Sequence, residues 1–261
     1  MQETTVGPSL EHARASLRVA IPEPESNLSQ DEESILVEVD DEWKEVRLHD
    51  YAELYATPGL YERVVYDALQ CQSPTVVAEL LDAELARADD AAEDLRVLDL
   101  GAGNGCAAEA LAEIGVNEFV GVDICREAAI AAERDRAGLY SHYVVGDITD
   151  LQDSDADKLR ARDFNCMVCV AALGFSDIPP AVFLEAYDYV QDGGWVAFTI
   201  KSDFLIAGDG SGFSGLVRTM IGTGALELKV DKEFTHRIST DGSALPYVAL
   251  VGQKRSSYSL D

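Results

Sequence analysis

Val97-Leu98-Asp99-Leu100-Gly101-Ala102-Gly103-Asn104-Gly105 is the stretch that decides how this chain of 261 residues folds. Its apolar run closes on a carboxylate and reads as a buried strand, and three glycines then follow at alternate positions. Without a Cβ, a backbone that turns sharply there can let a ligand come within contact distance. Residues 106–114 read as the helix into which this turn leads. The spacing discriminates among nucleotide-binding turns. A dinucleotide fingerprint orders its glycines as G-x-G-x-x-G, and here Cys106 occupies the third place. A phosphate-cradling P-loop is excluded because no Gly-Lys-Ser/Thr follows.

Two more short strands end in acids. Val120-Gly121-Val122-Asp123 sets a carboxylate 24 residues beyond Asp99, and Val144-Val145-Gly146-Asp147-Ile148 supplies a third. Apolar runs over residues 164–172 and 194–200 complete a series of five strands. The series resembles the class I S-adenosylmethionine (SAM)-dependent methyltransferases, whose first motif places an acid two residues before G-x-G-x-G. That resemblance implies an α/β fold, Rossmann-like and doubly wound. Its mostly parallel seven-stranded sheet would carry an antiparallel C-terminal strand pair and an N-terminal helical and hairpin extension.

The resemblance also implies SAM as cofactor and a set of residues to hold it. Gly101, Ala102, Gly103, Asn104 and Gly105 would approach the amino-acid and ribose portion, with Asp99 orienting the loop or the ammonium. Asp123, followed by Ile124, would accept hydrogen bonds from the ribose diol. Asp147 and Ile148 would frame the adenine, and Val170 and Ala171 would lie at the end of the fourth strand.

Composition bounds the rest. With 48 acidic against 20 basic side chains the net charge is −28, and only six of the cations are lysines. Acids spread through residues 31–42, 89–94 and 150–163 predict a surface adapted to high salt, with a cationic partner as the sharper alternative. No Lys/Arg cluster is present to meet phosphates, which argues against nucleic acid as substrate.

Five cysteines without a secretory h-region fit a reducing compartment. The longest apolar run, residues 166–175, is half of the roughly 20 residues that span a bilayer. The expectation is one soluble, cytoplasmic catalytic domain, with no membrane partner and no metal. Cys166 and Cys169, three apart on a strand, point to opposite faces and cannot share an ion. Cys106 stands at a helix start, where a thiol pKa can fall, or it is a small residue beside the cofactor.

Three segments are expected. Residues 1–33 read as an irregular tail, 34–90 as a hairpin plus a helical lid, and 91–261 as the SAM-binding domain. The hairpin turns at Asp40-Asp41. Asp50 is placed to cap a short helix, Thr57-Pro58 to start a second through about Leu69, and Ser73-Pro74 a third to about Ala88. Tyr51, Tyr55, Tyr61 and Tyr66 do not define one helical face. In the family the segment before the first motif often folds over the cofactor, which adds Tyr51, Tyr55 and Tyr61 to the cofactor-binding set. Residues 226–238 and 247–253 read as the closing antiparallel pair, joined through Asp241-Gly242.

The acceptor side is poorly marked. Family members that methylate nucleic-acid or glutamine amino groups carry Asn/Asp-Pro-Pro-Tyr after the fourth strand, where this chain has Val170-Ala171-Ala172-Leu173-Gly174-Phe175. That departure argues for a small-molecule acceptor. His236, His49 and Asp177 are the residues available as a general base, and Lys201 lies at the sheet edge where ligands bind. Two other readings stay open: a SAM-binding sensor or partner subunit without turnover, and an NAD(P)-dependent oxidoreductase.

Overall fold

A computed structural model of the protein describes residues 10–22, 30–173, 177–206 and 210–259. Its centre is a seven-stranded sheet. The strands are β4 (Arg96–Leu100), β5 (Glu118–Asp123), β6 (His142–Val145), β7 (Cys166–Leu173), β8 (Trp195–Lys201), β9 (Leu226–Ile238) and β10 (Ala244–Lys254). Across the sheet they run β6-β5-β4-β7-β8-β10-β9. The first five are mutually parallel, β10 is antiparallel to β8, and β9 is antiparallel to β10. This is the expected doubly wound sheet with its closing antiparallel pair.

The near-continuous apolar runs are explained by burial on both faces. Leu98, Met167 and Cys169 pack into one core cluster, and Val97, Cys166 and Val168 into the other. Cys166 and Cys169 therefore do lie on opposite sides of the sheet. Helix α4 (Ser73–Ala88) sends Val77, Leu81 and Leu85 into the second cluster, one stripe at four-residue spacing. Each such side chain contributes roughly 1.5–3 kcal/mol on burial. Although grouped in sequence with the lid, α4 packs on the central sheet.

Ahead of α4, a three-stranded sheet pairs β1 (Val19–Ala20) with β2 (Ser34–Val39) and β2 with β3 (Glu42–Arg47), all antiparallel. The hairpin turns at Asp40 and Asp41, as expected. Within the tail read as irregular, residues 10–16 form helix α1 and β1 joins the hairpin sheet; the remainder of that tail largely falls outside the described residues.

Helix α2 (Tyr51–Ala56) begins where Asp50 accepts a hydrogen bond from Glu53 N at 3.4 Å. The next helix departs from expectation. Instead of starting at Pro58, residues Thr57-Pro58-Gly59-Leu60 make a tight turn in which Leu60 N donates to Thr57 O at 3.1 Å. Proline second and a left-handed glycine third, Gly59 at φ +76°, suit a type II turn. Helix α3 (Leu60–Glu62) follows and widens into a π-helix over Arg63–Ala68. Helices α5 (Cys106–Glu113), α6 (Arg126–Asp135), α7 (Asp153–Arg160), α8 (Pro180–Asp188) and α9 (Phe213–Thr223) alternate with the strands of the sheet.

Candidate functional site

In the strand order, connections from β4 run one way to β5 and β6, and the chain then crosses back to β7 and β8. The strand ends beside such a reversal are where open α/β sheets bind ligands. A cavity of about 250 Å³ opens there. Leu100 and Gly101 line it from the end of β4, Asp123 and Ile124 from β5, Asp147 and Ile148 from the turn after β6, and Val170 and Ala171 from β7. Tyr51, Tyr55 and Tyr61 line it from the lid.

Those tyrosines share no helical face, yet they meet. Tyr51 and Tyr55, one turn apart on α2, stack at 6.2 Å between centroids, and the Thr57–Leu60 turn folds α3 back beside α2, which brings the Tyr61 ring to 4.8 Å from that of Tyr55. Tyr55 also packs on Ala128 and Ala131 of α6, and Arg134 donates to Tyr55 O at 3.0 Å. The lid is thereby held to the sheet domain.

Asp123 joins two strand ends. Its Oδ2 accepts from Gly103 N at 2.9 Å and its Oδ1 from Cys125 N at 2.8 Å. Burial raises its pKa, and the backbone donors at Cys125 and Gly103 work against that rise. The Ile124 backbone also acts on this carboxylate, and with about four acceptor sites in all Asp123 retains capacity for a further donor. Asp147 caps the short 3₁₀ turn after β6, its Oδ1 accepting from Thr149 N at 2.9 Å.

The remaining glycine-loop residues lie behind the cavity wall. Asp99, Ala102, Gly103, Asn104 and Gly105 do not line it. Asp99 is 1% exposed, and the Tyr140 hydroxyl donates to its Oδ2 at 2.7 Å. Its Oδ1 has no hydrogen-bond partner among the described residues, and burial pushes the carboxyl up to about 7. Asp99 thus lies buried under the loop. Asn104 donates through Nδ2 to Glu62 Oε1 at 2.7 Å, and Arg136 donates to the same oxygen at 2.9 Å. This buried cluster ties α3 of the lid to the glycine loop. Nothing in the sequence flagged it, because Glu62 and Arg136 are 74 residues apart. Burial raises the Cys106 thiol to about 12, so the helix start does not make it a thiolate.

A second chamber, of about 50 Å³, adjoins the first. Five residues line both: Tyr51, Tyr61, Ala171, Ala172 and Asp177. His49, His236, Arg237 and Tyr247 complete its polar and aromatic wall. All three side chains considered as bases, His49, Asp177 and His236, therefore converge here. His236 Nδ1 lies 2.7 Å from Ser73 Oγ, and its ring packs on Tyr247 at 4.2 Å. Burial, helped by Arg237, pulls its pKa down to about 3, so His236 is an uncharged hydrogen-bonding group rather than a proton store. Lys201 lines neither chamber and pairs with Asp203 at 3.2 Å.

Between the chambers the backbone is distorted. The pairing of β7 with β8 shifts register between Cys169 and Leu173, and Ala171 sits at φ +58° with its N–H donating to Thr199 Oγ1 at 2.7 Å. A non-glycine residue held left-handed costs of order 1–3 kcal/mol and is concentrated at functional sites. Among the described residues no group of His, Cys, Asp and Glu is arranged to hold a metal, and no helix is long and apolar enough to cross a membrane.

The family model described as a methyltransferase domain matches residues 72–241. No curated protein matches the chain in sequence. Among solved structures, a Thermoplasma acidophilum protein is 14% identical, over 69% of this chain and 85% of that one, with a TM-score of 0.49. A SAM-dependent methyltransferase from Methanosarcina mazei is 18% identical over 63% and 94%, with a TM-score of 0.46. Magnesium protoporphyrin IX methyltransferase from Synechocystis, with bound SAH, is 13% identical over 69% and 83%, also with a TM-score of 0.46.

Proposed function

The chain belongs to the methyltransferase-domain family, and from that premise we propose that it transfers a methyl group from SAM to an oxygen or nitrogen of a small molecule. The observation that carries the reading is Asp123 at the cavity wall. It is anchored by Gly103 N and Cys125 N and keeps acceptor capacity toward the hydroxyls of a ribose.

The residues present fit the cofactor. Asp123 would hold the ribose, while Asp147 and Ile148 would frame the adenine beside Ile124, which is 75% exposed at the cavity edge. Tyr51, Tyr55 and Tyr61 would cover it and exclude water. When bound, SAM supplies a methyl already activated by a positive sulfur. The protein's task is then to hold the acceptor's lone pair in line and keep the site dry.

The second chamber meets the first at Tyr51, Tyr61, Ala171, Ala172 and Asp177, which supports it as the acceptor's entrance. Its small volume and the absence of a Pro-Pro-Tyr wall support a small acceptor over a nucleobase or a glutamine side chain. The test is methyl transfer from labelled SAM into a small-molecule extract. Incorporation by the wild type that disappears in Asp123→Ala supports the reading. SAM binding without incorporation would make the chain a sensor instead.

A further inference from the structure

We propose that the second chamber binds a small organic ammonium, the nitrogen end of the methyl acceptor. The proposal rests on the methyltransferase reading for its biological role, but the chamber's preference for a cation is a property of its own walls.

Size comes first. A water-sized occupant needs about 10–15 Å³ of such space, so a chamber of about 50 Å³ takes roughly four non-hydrogen atoms. That is an amine head with one or two carbons and a single further polar atom. Larger acceptors would have to leave their remainder in the wider cavity or outside.

Charge comes second. Arg237, the permanent cation of the wall, is ion-paired to buried Glu33. Glu33 is fixed in turn by Ser239 Oγ and Thr240 N, each donating to its Oε1 at 2.6 Å. This pair is neutral as a unit, and His236 is uncharged. The phenols of Tyr51 and Tyr61 are held protonated by burial. Asp177 is left as the carboxylate at the junction of the two chambers, still exposed to solvent, where burial raises its pKa and the neighbouring His49 lowers it.

Shape comes third. Tyr51, Tyr61 and Tyr247 line the same small space, and aromatic faces attract an ammonium within about 6 Å of the ring centroid. Three rings and one carboxylate are a poor site for an anion and a good one for a cation. A net charge of −28 further raises the local concentration of small cations.

The experiment uses the full chain and three probes of matched size: ethanolamine, ethylene glycol and glycolate. Each is titrated at fixed ionic strength with binding read by saturation-transfer NMR, with and without S-adenosylhomocysteine. Ethanolamine is expected to saturate the protein while the neutral diol and the anion do not. Asp177→Asn should weaken ethanolamine roughly tenfold, an effect of the size of one charge-assisted contact. Because that change alters the net charge by one unit in 28, such a loss reports the chamber and not the general acidity.

Tyr247→Leu should weaken it as well. Asp123→Ala should abolish binding of S-adenosylhomocysteine and leave ethanolamine binding intact. Equal binding of ethylene glycol, preference for glycolate, or an unchanged Asp177→Asn titration overturns the inference. Binding of S-adenosylhomocysteine with no ethanolamine binding also overturns it while the methyltransferase reading stands. Ethanolamine binding without S-adenosylhomocysteine binding supports the chamber assignment and overturns that reading.

Discussion

Gly103 N donates to Asp123 Oδ2 at 2.9 Å, so the glycine turn after β4 and the carboxylate ending β5 form one unit. The same turn is held from the other side, where the Tyr143 hydroxyl donates to Gly103 O at 2.7 Å. Asp123 therefore both shapes the cavity and lines it. Its replacement by Ala should remove a cofactor contact and also free the Gly103 and Cys125 amides, each buried unsatisfied group costing about 1–3 kcal/mol. Asp123→Asn keeps one acceptor and should lose less stability. Denaturant unfolding of the two variants, compared with their cofactor titrations, separates the two roles.

Gly103 is under a second constraint. At φ +55° a Cβ built on it would stand 2.5 Å from the Tyr55 hydroxyl oxygen. Gly103→Ala should lose about 1–2 kcal/mol from the left-handed backbone alone, with the collision added. Removing that hydroxyl in Tyr55→Phe should recover the collision part and leave the backbone part. A double-mutant cycle in urea reads the difference directly, and strict additivity would contradict this contact.

The buried pair of Glu62 with Arg136 fastens the lid to the glycine loop. Their side chains are 3% and 6% exposed. Glu62→Ala leaves Arg136 with Glu109 as its remaining carboxylate, at 2.8 Å, and takes the acceptor from Asn104, so it should cost about 1–3 kcal/mol, whereas replacing Glu62 and Arg136 together by Leu and Met should cost less. Calorimetric Tm values for the single and double variants check this, and an equal loss in both would contradict it.

Asp99 makes stability depend on pH in an unusual direction. Its carboxyl is raised to about 7 by burial, against an ordinary value of 3.8. Between those values the unfolded chain has released the proton and the folded protein keeps it, so this group's contribution falls as pH rises from about 4 to 7 and is flat above. At 1.36 kcal/mol per unit the full effect is about 4 kcal/mol. Asp99→Asn, which retains an acceptor for Tyr140, should remove that slope. Urea midpoints measured from pH 4 to 8 for both proteins test it; parallel curves would contradict the raised carboxyl.

The parallel sheet was legible because its signals are local: an apolar run for each strand, a glycine turn after β4, and acids at or beside the ends of β4, β5 and β6. The C-terminal pair was equally plain in the alternation of residues 226–238. The lid was read only in part. Pro58 is favoured both at a helix start and inside a type II turn, and Gly59 decides for the turn. The arrival of Tyr61 beside Tyr55 depends on that turn, and periodicity within one helix carries no trace of it. His49, Asp177 and His236 were each singled out by side-chain chemistry. Their shared chamber arises from the hairpin end, the segment after β7 and β9, which meet only in the folded chain. The Asn104–Glu62–Arg136 cluster was invisible for the same reason.

The central claim is that the cavity at the strand ends holds SAM through Asp123. Isothermal titration of the full chain with SAM and with S-adenosylhomocysteine tests it most directly. One-to-one binding of both, lost in Asp123→Ala while that variant keeps its native circular dichroism, is the predicted result. Failure of either ligand to bind the folded wild type, or undiminished binding by Asp123→Ala, would contradict it.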